Sequence, residues 1–225
     1  MTVLPNRFAL RERVEPCAIV CRMSETWIRI GTFDLFRNRG DRETTRKLAE
    51  YCIQHVFGLD NLPKGREGEP EPNRFERLYR EICIRNSKTV AKWQAYGFMN
   101  GVLNTDNTSI YGVSLDFGPF AFMDTFDPMH TPNHDDYQGR YSYRMQPTII
   151  WWNLVRLGEA LGELMGSMEH VDDPVYIAGE YPEEQKTEIV TQGERIIEAA
   201  GEEFQSIFLD EYKELMAKVN LFQGC

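Results

Sequence analysis

The chain has 225 residues, of which 42% are apolar and 27% are charged, a composition typical of a protein that buries a sizeable core. Its formal net charge of −10 argues against broad electrostatic binding to nucleic acid or to an anionic membrane surface. No apolar run approaches the roughly 20 residues that a bilayer-spanning helix needs. We therefore expect no nucleic-acid or membrane partner. In a chain this acidic, a site that binds an anion must be formed by a small local cluster of basic residues.

Cysteine spacing and the amino terminus bear on the compartment. The five cysteines lack the paired spacing of a zinc site, and their odd number does not indicate a disulfide framework. The first 17 residues contain arginines interrupted by Glu12 and Glu15, and they lack the apolar core of a secretory signal. We expect reduced thiols in an intracellular protein, with no clear presequence.

The first predicted element is a β-hairpin. Residues 17–23 and 26–31 alternate and are rich in β-branched side chains, with a turn expected near Ser24. In such a hairpin Arg22 and Arg29 would share one face, where both guanidinium groups could converge on one anion. Two solvated strand arginines are the alternative.

Two helices and a loop are predicted next. Asp41 is typical of an N-cap, apolar residues recur every fourth position after it, and Gly58 favours a stop, which together predict a helix. Residues 60–72 are rich in proline, glycine and charge and predict an exposed loop. Apolar residues then follow a helical period from Asn73 to Gly97, which predicts a long helix.

The second half of the chain is predicted to be largely helical. Residues 109–116 alternate as a short strand, whereas 119–145 are aromatic and irregular. Pro147 suits the first turn of an apolar-faced helix. Two further amphipathic helices are expected near 183–200 and 202–219. The expected fold class is α+β and mostly helical.

A short polar run provides the strongest candidate for chemistry. The sequence Asn-Thr-Asp-Asn at 104–107 is followed by Asp-Phe-Gly at 116–118. Amide and carboxylate oxygens are the hard donors that a magnesium–nucleotide site needs, so Asn107 and Asp116 are candidate Mg²⁺ ligands. The alternative is that Asn107 caps a turn and Asp116 ends a strand.

This run is one of four ordered blocks between residues 93 and 154. They read Gly-Val-Leu-Asn-Thr-Asp-Asn at 101–107, Leu-Asp-Phe-Gly-Pro-Phe-Ala-Phe at 115–122, Asn-His-Asp-Asp-Tyr-Gln-Gly-Arg-Tyr at 133–141, and Gln-Pro through Trp-Asn-Leu at 146–154. In this order and spacing they closely resemble the selenoprotein O family of kinase-like protein adenylyltransferases. The resemblance is specific from about residue 17 to residue 165.

The resemblance implies a fold and an activity. The fold would be protein-kinase-like, with residues 1–36 as the end of the small lobe, a remnant of its β-sheet, and the hinge. Residues 37–225 would form the helical large lobe with the metal-binding loop. The activity would be transfer of AMP from ATP to Ser, Thr or Tyr hydroxyls of protein substrates, with Mg²⁺ or Mn²⁺, and the family suggests a mitochondrial location.

The resemblance also implies residue roles. Asp106 occupies the position of the proton acceptor, and Asn107 and Asp116 occupy those of the metal ligands, Asp116 also contacting the nucleotide. Arg22 and Arg29 match the phosphate-contacting arginines of a Cys-Arg-x₆-Arg-x-Gly pattern. ATP would lie reversed relative to kinases, with its distal phosphates on the arginines and its α-phosphate presented for attack.

The chain departs from the family pattern in two respects. Position 100 is Asn where many members have His. The family's glycine-rich loop, phosphate-binding lysine and partner glutamate have no match before residue 17. The expectation is therefore a partial chain, either an adenylyltransferase or its catalytic portion, or a non-catalytic, truncated pseudokinase-like module that binds a protein partner or weakly binds nucleotide. A true kinase is a third interpretation.

Overall fold

The computed structural model describes residues 2–10, 14–19, 21–65, 68 and 70–222. Within these ranges the fold is α+β and mostly helical, which confirms the predicted class. None of the helices in the described ranges is both long and apolar enough to cross a membrane.

The strands at the amino terminus differ from those expected. Strand β1 (Thr2–Leu10) pairs antiparallel with β2 (Val14–Ile19). The predicted hairpin with a turn near Ser24 is wrong. The Ser24 hydroxyl donates to the Thr26 carbonyl at 2.9 Å, and Thr26 Oγ1 accepts from the Ile28 N–H at 3.2 Å. These local side-chain bonds compete with a strand ladder, and the residues before α1 run as an irregular connection.

Helices α1 (Ile30–Asn38) and α2 (Arg42–Tyr51) follow this connection. Asp41 is the N-cap of α2, as predicted, because its carboxylate accepts from the Thr44 N–H at 3.0 Å. A π-helical turn (Cys52–Phe57) continues α2 as far as Gly58, so the predicted helix is confirmed.

The predicted long helix is confirmed, and no α-helix or strand occurs in the described part of the predicted loop, residues 60–65, 68 and 70–72. The loop contains a short 3₁₀ turn (Leu59–Asn61) before α3 (Arg74–Tyr96) begins. The Asn73 side chain caps α3 by accepting from two backbone N–H groups at its start. Gly97 ends the helix with φ of +68°, a left-handed conformation that favours glycine.

After α3 the chain makes tight turns where a strand was expected. Strand β3 (Phe98–Met99) pairs antiparallel with β4 (Ala121–Phe122). The predicted strand over 109–116 is wrong, because Gly112 has φ of +74° and turns the chain, leaving two isolated bridges, of Ser109 with Arg29 and of Ser114 with Thr108. Residues 119–145 are otherwise irregular apart from the 3₁₀ turn Tyr143–Met145, as predicted.

The carboxyl-terminal helices are α4 (Gln146–Gly166), the short α5 (Pro174–Ala178) and α6 (Glu183–Phe222). The expectation of two separate helices is wrong, since α6 runs unbroken for 40 residues. Gly201 does not interrupt this helix, and its lack of a side chain allows Trp151 of α4 to pack closely against it. A Cβ there would lie 2.8 Å from the Trp151 ring, so this glycine serves helix packing.

The hydrophobic core lies where α3, α4 and α6 pack against one another, with α1 on the α4 side. Its fully or almost fully buried members come from each of these helices and from the segment after β3; they include Ile30, Phe33, Leu78, Tyr79, Ile82, Val90, Leu103, Ile110, Leu154, Leu157, Leu161 and Ala200. Because the segment after β3 is anchored in this core, the polar run at 104–107 sits on a rigid base.

Candidate active site

Three hydrogen bonds connect Asp116 to Asn107. The buried Asn100 side chain donates from Nδ2 to the Asp116 main-chain carbonyl at 3.1 Å. Its Oδ1 accepts from the Val102 N–H at 3.2 Å, and the Val102 carbonyl accepts from Asn107 Nδ2 at 2.9 Å. The two candidate metal ligands are therefore held by one continuous path. The Asn that departs from the family pattern at position 100 provides its central link.

The loop at 104–107 is a 3₁₀ turn closed by its own side chains. Asn104 Oδ1 accepts from the Asn107 N–H at 2.9 Å, and Thr108 Oγ1 donates to the Asn104 carbonyl at 3.0 Å. Beneath it, the fully buried Asn153 of α4 donates to the Leu103 carbonyl at 3.0 Å and to Thr108 Oγ1 at 2.7 Å. These bonds fix the loop on α4.

Gln146, at the start of α4, holds the strand that leads into the site. It is fully buried, accepts from the Asn100 N–H at 3.1 Å and donates to the Phe98 carbonyl at 2.9 Å. A buried amide with both ends satisfied stiffens its surroundings. The first turn of α4 thus fixes the backbone of Asn100.

Arg22 lies beside the segment that precedes Asp116. Its Nη1 donates to the Leu115 carbonyl at 2.6 Å and its Nη2 to the Ser114 carbonyl at 2.7 Å. Its guanidinium carbon lies 4.4 Å from the Phe117 ring centre, within cation–π range. Because Arg22 is exposed, its remaining N–H donors are available to an anion.

Arg29 lies beside Asp106 at the other end of the site. It pairs with Ser109 in an isolated β-bridge, and its Nη1 is 3.5 Å from the Asp106 carbonyl oxygen, the outer limit of a hydrogen bond. Arg22 therefore lies beside the segment that leads to Asp116, and Arg29 lies beside Asp106. Arg22 and Arg29 were expected to converge because they would share one face of a hairpin. The described residues of this segment do not form that hairpin.

An aromatic surface flanks Asp116. The Phe98 ring lies 6.1 Å from the rings of Phe117 and Phe120 and 5.4 Å from that of Phe122, measured between centroids. Phe117 and Phe120 meet edge to face at 5.1 Å. Except for Phe98, these rings are substantially exposed. An apolar surface therefore lies directly beside the polar site.

The donor set at Asn107 and Asp116 fits a magnesium ion. Asn107 donates its amide N–H to the Val102 carbonyl, and its amide oxygen accepts no hydrogen bond from the residues that the structure describes. The exposed Asp116 carboxylate makes no hydrogen bond or ion pair to any residue that the structure describes. Across the same described ranges, no group of three or more His, Cys, Asp or Glu could hold a metal. A pair of oxygen donors with room for water and phosphate is the arrangement that Mg²⁺ favours.

The sequence interpretation missed the buried amides that hold the site together. Gln146 and Asn153 are seven residues apart on α4, on the same buried face as Ile150 and Leu154. Two amides on an apolar helix face must find partners, and a seven-residue spacing puts them on one side of the helix. That signal was readable from the sequence, although the identity of the partners was not.

A comparison with protein families gives a match over almost the whole chain. The family model described as "Protein adenylyltransferase SelO" matches residues 2–222. This range includes the paired strands β1 and β2, the loop at 104–107 and all six α-helices named above.

Individual relatives agree with the family match. A protein adenylyltransferase SelO from Schizosaccharomyces pombe, named as mitochondrial, is 50% identical over 214 residues, which cover 93% of the chain and 36% of that relative. The corresponding protein from Saccharomyces cerevisiae, also named as mitochondrial, is 36% identical, with 97% of the chain and 37% of the relative covered. Protein nucleotidyltransferase YdiU from Klebsiella pneumoniae is 40% identical, covering 70% of the chain and 31% of the relative.

The chain thus spans about a third of the length of the curated relatives that it matches. The expected resemblance is confirmed by both the family match and these relatives. The chain belongs to the SelO family of protein adenylyltransferases.

Proposed function

We propose that this chain holds the nucleotide and metal site of a protein adenylyltransferase, which transfers AMP from ATP to Ser, Thr or Tyr hydroxyls of protein substrates. Family membership and the names of the relatives support this. The observation that carries the proposal is the path of three hydrogen bonds from Asp116 through Asn100 and Val102 to Asn107. This path keeps two oxygen donors of the type that Mg²⁺ prefers in one rigid unit.

Mg²⁺ is the proposed metal, and Mn²⁺ accepts the same oxygen donors. The Asp116 carboxylate and the Asn107 amide oxygen would hold the ion. When bound, it would neutralise charge on the phosphate oxygens of ATP. The contribution of the chain is to hold these two oxygens in place without using them in other hydrogen bonds to described residues.

Arg22 and Arg29 are the proposed phosphate ligands. In a chain with net charge −10, an anionic nucleotide needs a local source of positive charge, and two exposed guanidinium groups supply it. Arg22 is oriented by its two carbonyl acceptors and by the Phe117 ring, so it is ordered before a ligand arrives. By the family resemblance the arginines would hold the distal phosphates and leave the α-phosphate exposed.

Asp106 is the proposed proton acceptor. Its carboxylate is exposed and lies on a turn that is closed on both sides by hydrogen bonds. It would take the proton of the substrate hydroxyl while that oxygen forms a bond to the α-phosphorus. The bond from the α-phosphorus to the oxygen bridging to the β-phosphate then breaks, and pyrophosphate leaves with the electron pair.

The wider assignment follows the same family. We propose a kinase-like arrangement in which residues 1–36 are the end of a small lobe and the hinge, and residues 37–225 are a helical large lobe. The position of the β1–β2 pair ahead of the helices is compatible with it. ATP and protein substrates are the proposed partners, and the names of the two yeast relatives support a mitochondrial location.

The test is a comparison of label transfer from ATP labelled at the α- or the γ-phosphate, with Mg²⁺, to the chain itself and to hydroxyl-bearing peptides. We expect transfer of the α-label only, and its loss in Asp106→Asn. Transfer of the γ-label would show a kinase instead. Nucleotide binding without transfer of either label would favour a non-catalytic nucleotide-binding module.

A further inference from the structure

The first turn of α1 lies directly against the carboxylate of Asp106. A Cβ atom added to Gly31 would overlap with Oδ1 of Asp106, and it would come within 3.0 Å of the carboxyl carbon and 3.2 Å of the backbone nitrogen. Non-bonded carbon atoms pack at roughly 3.5–4.0 Å, so a side chain at this position and the observed carboxylate position exclude each other. The Asp106 carboxylate occupies the space that any residue other than glycine would fill.

The backbones on the two sides of this contact are tied to each other. The Ile30 N–H at the start of α1 donates to the Thr108 carbonyl at 3.0 Å, two residues after Asp106. Arg29, one residue earlier, is paired with Ser109. Helix α1 and the loop are thus joined through their backbones on the carboxyl-terminal side of Asp106. A methyl group on Gly31 would therefore displace the side chain of Asp106 rather than separate the helix from the loop.

The Asp106 carboxylate makes no hydrogen bond or ion pair to the residues that the structure describes. Its position is accordingly set by packing and by the turn that holds its backbone. Glycine has a low helix propensity, so its presence in the first turn of α1 lowers the stability of that helix. The close approach of the Asp106 carboxylate explains why glycine is nevertheless found at this position.

We propose that Gly31 is a positioning residue for Asp106. The absence of a side chain at Gly31 sets where the carboxylate lies and leaves it on the wall of a cavity of about 400 Å³, which Arg29, Thr32 and Thr105 also line. This inference rests on the proposed role of Asp106 as the proton acceptor. It adds a residue that touches no reacting atom and acts only through Asp106.

A thermal-unfolding cycle on the full chain tests the contact without requiring activity. The variants are Gly31→Ala, Asp106→Ala and the double variant, with Gly162→Ala as a matched control. Gly162 lies in α4 with open space where an added Cβ would be, so its replacement by alanine should raise the unfolding temperature.

We expect Gly31→Ala to lower the unfolding temperature when it is made in the parent. Made in the Asp106→Ala background, it should cause little or no decrease, because only the backbone nitrogen of residue 106, at 3.2 Å, remains close to the added Cβ. If Gly31→Ala fails to fold, recovery of folding in the double variant is the expected result. Equal shifts in both backgrounds would overturn the proposal, as would failure of both Gly31→Ala variants to fold while Asp106→Ala folds.

Label transfer from α-labelled ATP tests the positioning role. We expect Gly31→Ala to lower kcat by about 100-fold, the effect of an ångström-scale misplacement, with KM for Mg-ATP unchanged. It should cause no further loss in Asp106→Ala. An unchanged kcat, or a change in KM alone, would overturn the role. If the parent transfers no label, the proposed function fails, whereas the thermal cycle still decides whether Gly31 sets the position of the carboxylate.

Discussion

Asn100 donates a hydrogen bond of 3.1 Å from its side chain to the main-chain carbonyl of Asp116, 16 positions further along the chain. Asn100 is 2% exposed, so its own ends of this bond and of the one that it accepts from Val102 are buried, and both bonds are partly shielded from water. The position of Asp116 therefore depends on a buried amide that is not among the proposed metal or phosphate ligands.

Replacing Asn100 with leucine should lower the free energy of unfolding by about 1–3 kcal/mol, because the Val102 N–H and the Asp116 carbonyl each lose a partly buried hydrogen bond. Affinity for Mg-ATP should fall as well. Urea unfolding and a nucleotide titration of the folded variant measure the two effects separately.

Asn73→Ala is the control for this variant. The Asn73 side chain donates to carbonyls at the end of α4 and caps α3, outside the candidate site. It should destabilise the chain and leave nucleotide affinity unchanged. The proposed link from Asn100 to the site would be contradicted if Asn100→Leu lost stability but bound Mg-ATP as the parent does.

Arg22→Lys should weaken Mg-ATP binding about tenfold or more, although it preserves the positive charge. Lysine cannot donate to both the Ser114 and Leu115 carbonyls in a fork and still present further donors to a phosphate. Isothermal titration with Mg-ATP measures the change. Arg85→Lys is the control, because Arg85 also stacks on a ring, that of Tyr111, outside the site. Equal affinities for Arg22→Lys and the parent would count against a phosphate role.

Glu163 makes stability depend on pH. Burial would raise the pKa of its carboxyl, but the hydrogen bonds that it receives from Arg42 and Tyr181 outweigh burial and hold the pKa below its usual value. A carboxyl with a depressed pKa stabilises the fold above its unfolded pKa, and this contribution is lost as pH falls through the folded pKa.

We therefore expect the free energy of unfolding to fall below about pH 4.5, and Glu163→Gln to remove part of this dependence. At neutral pH the same variant should cost about 1 kcal/mol, because the group is partly exposed. Urea unfolding across the acid range measures both effects, with Glu188→Gln, an exposed glutamate of α6, as the control. An unaltered pH dependence in Glu163→Gln would refute this assignment.

Elements with local causes were predictable from the sequence. The N-cap at Asp41 and the stop at Gly58 each depend on the chemistry of one residue and its immediate neighbours. The α4 start at Pro147 has the same origin. Such signals need no knowledge of the rest of the fold, and the structure confirms all three.

Elements with distant causes were not predictable in the same way. The segment at 17–31 alternates like a hairpin, yet residues 14–19 pair with β1 upstream, and the remainder is held by contacts far along the chain. Arg22 finds its acceptors 92 and 93 residues away, at Ser114 and Leu115. Periodicity alone cannot rank such partners, because strand pairing depends on what else the fold brings close.

The candidate site shows the same division. The types of residue at Asn107 and Asp116 indicated oxygen ligation from the sequence, since that chemistry belongs to the side chains themselves. The amides that position them, at Asn100, Gln146 and Asn153, act through hydrogen bonds spanning 16 to 50 residues. Only the fold reveals those partners.

The most direct measurement is a thermal-shift titration of the chain with ATP and Mg²⁺, with Asp116→Ala beside the parent and Asp124→Ala, another exposed aspartate, as the control. A ligand at about 100 times its dissociation constant stabilises the folded state by roughly 2.7 kcal/mol. We expect a clear shift in the parent and in Asp124→Ala that requires Mg²⁺, and its loss in Asp116→Ala. No shift in the parent, or an equal shift in Asp116→Ala, would contradict a nucleotide site built on Asn107 and Asp116.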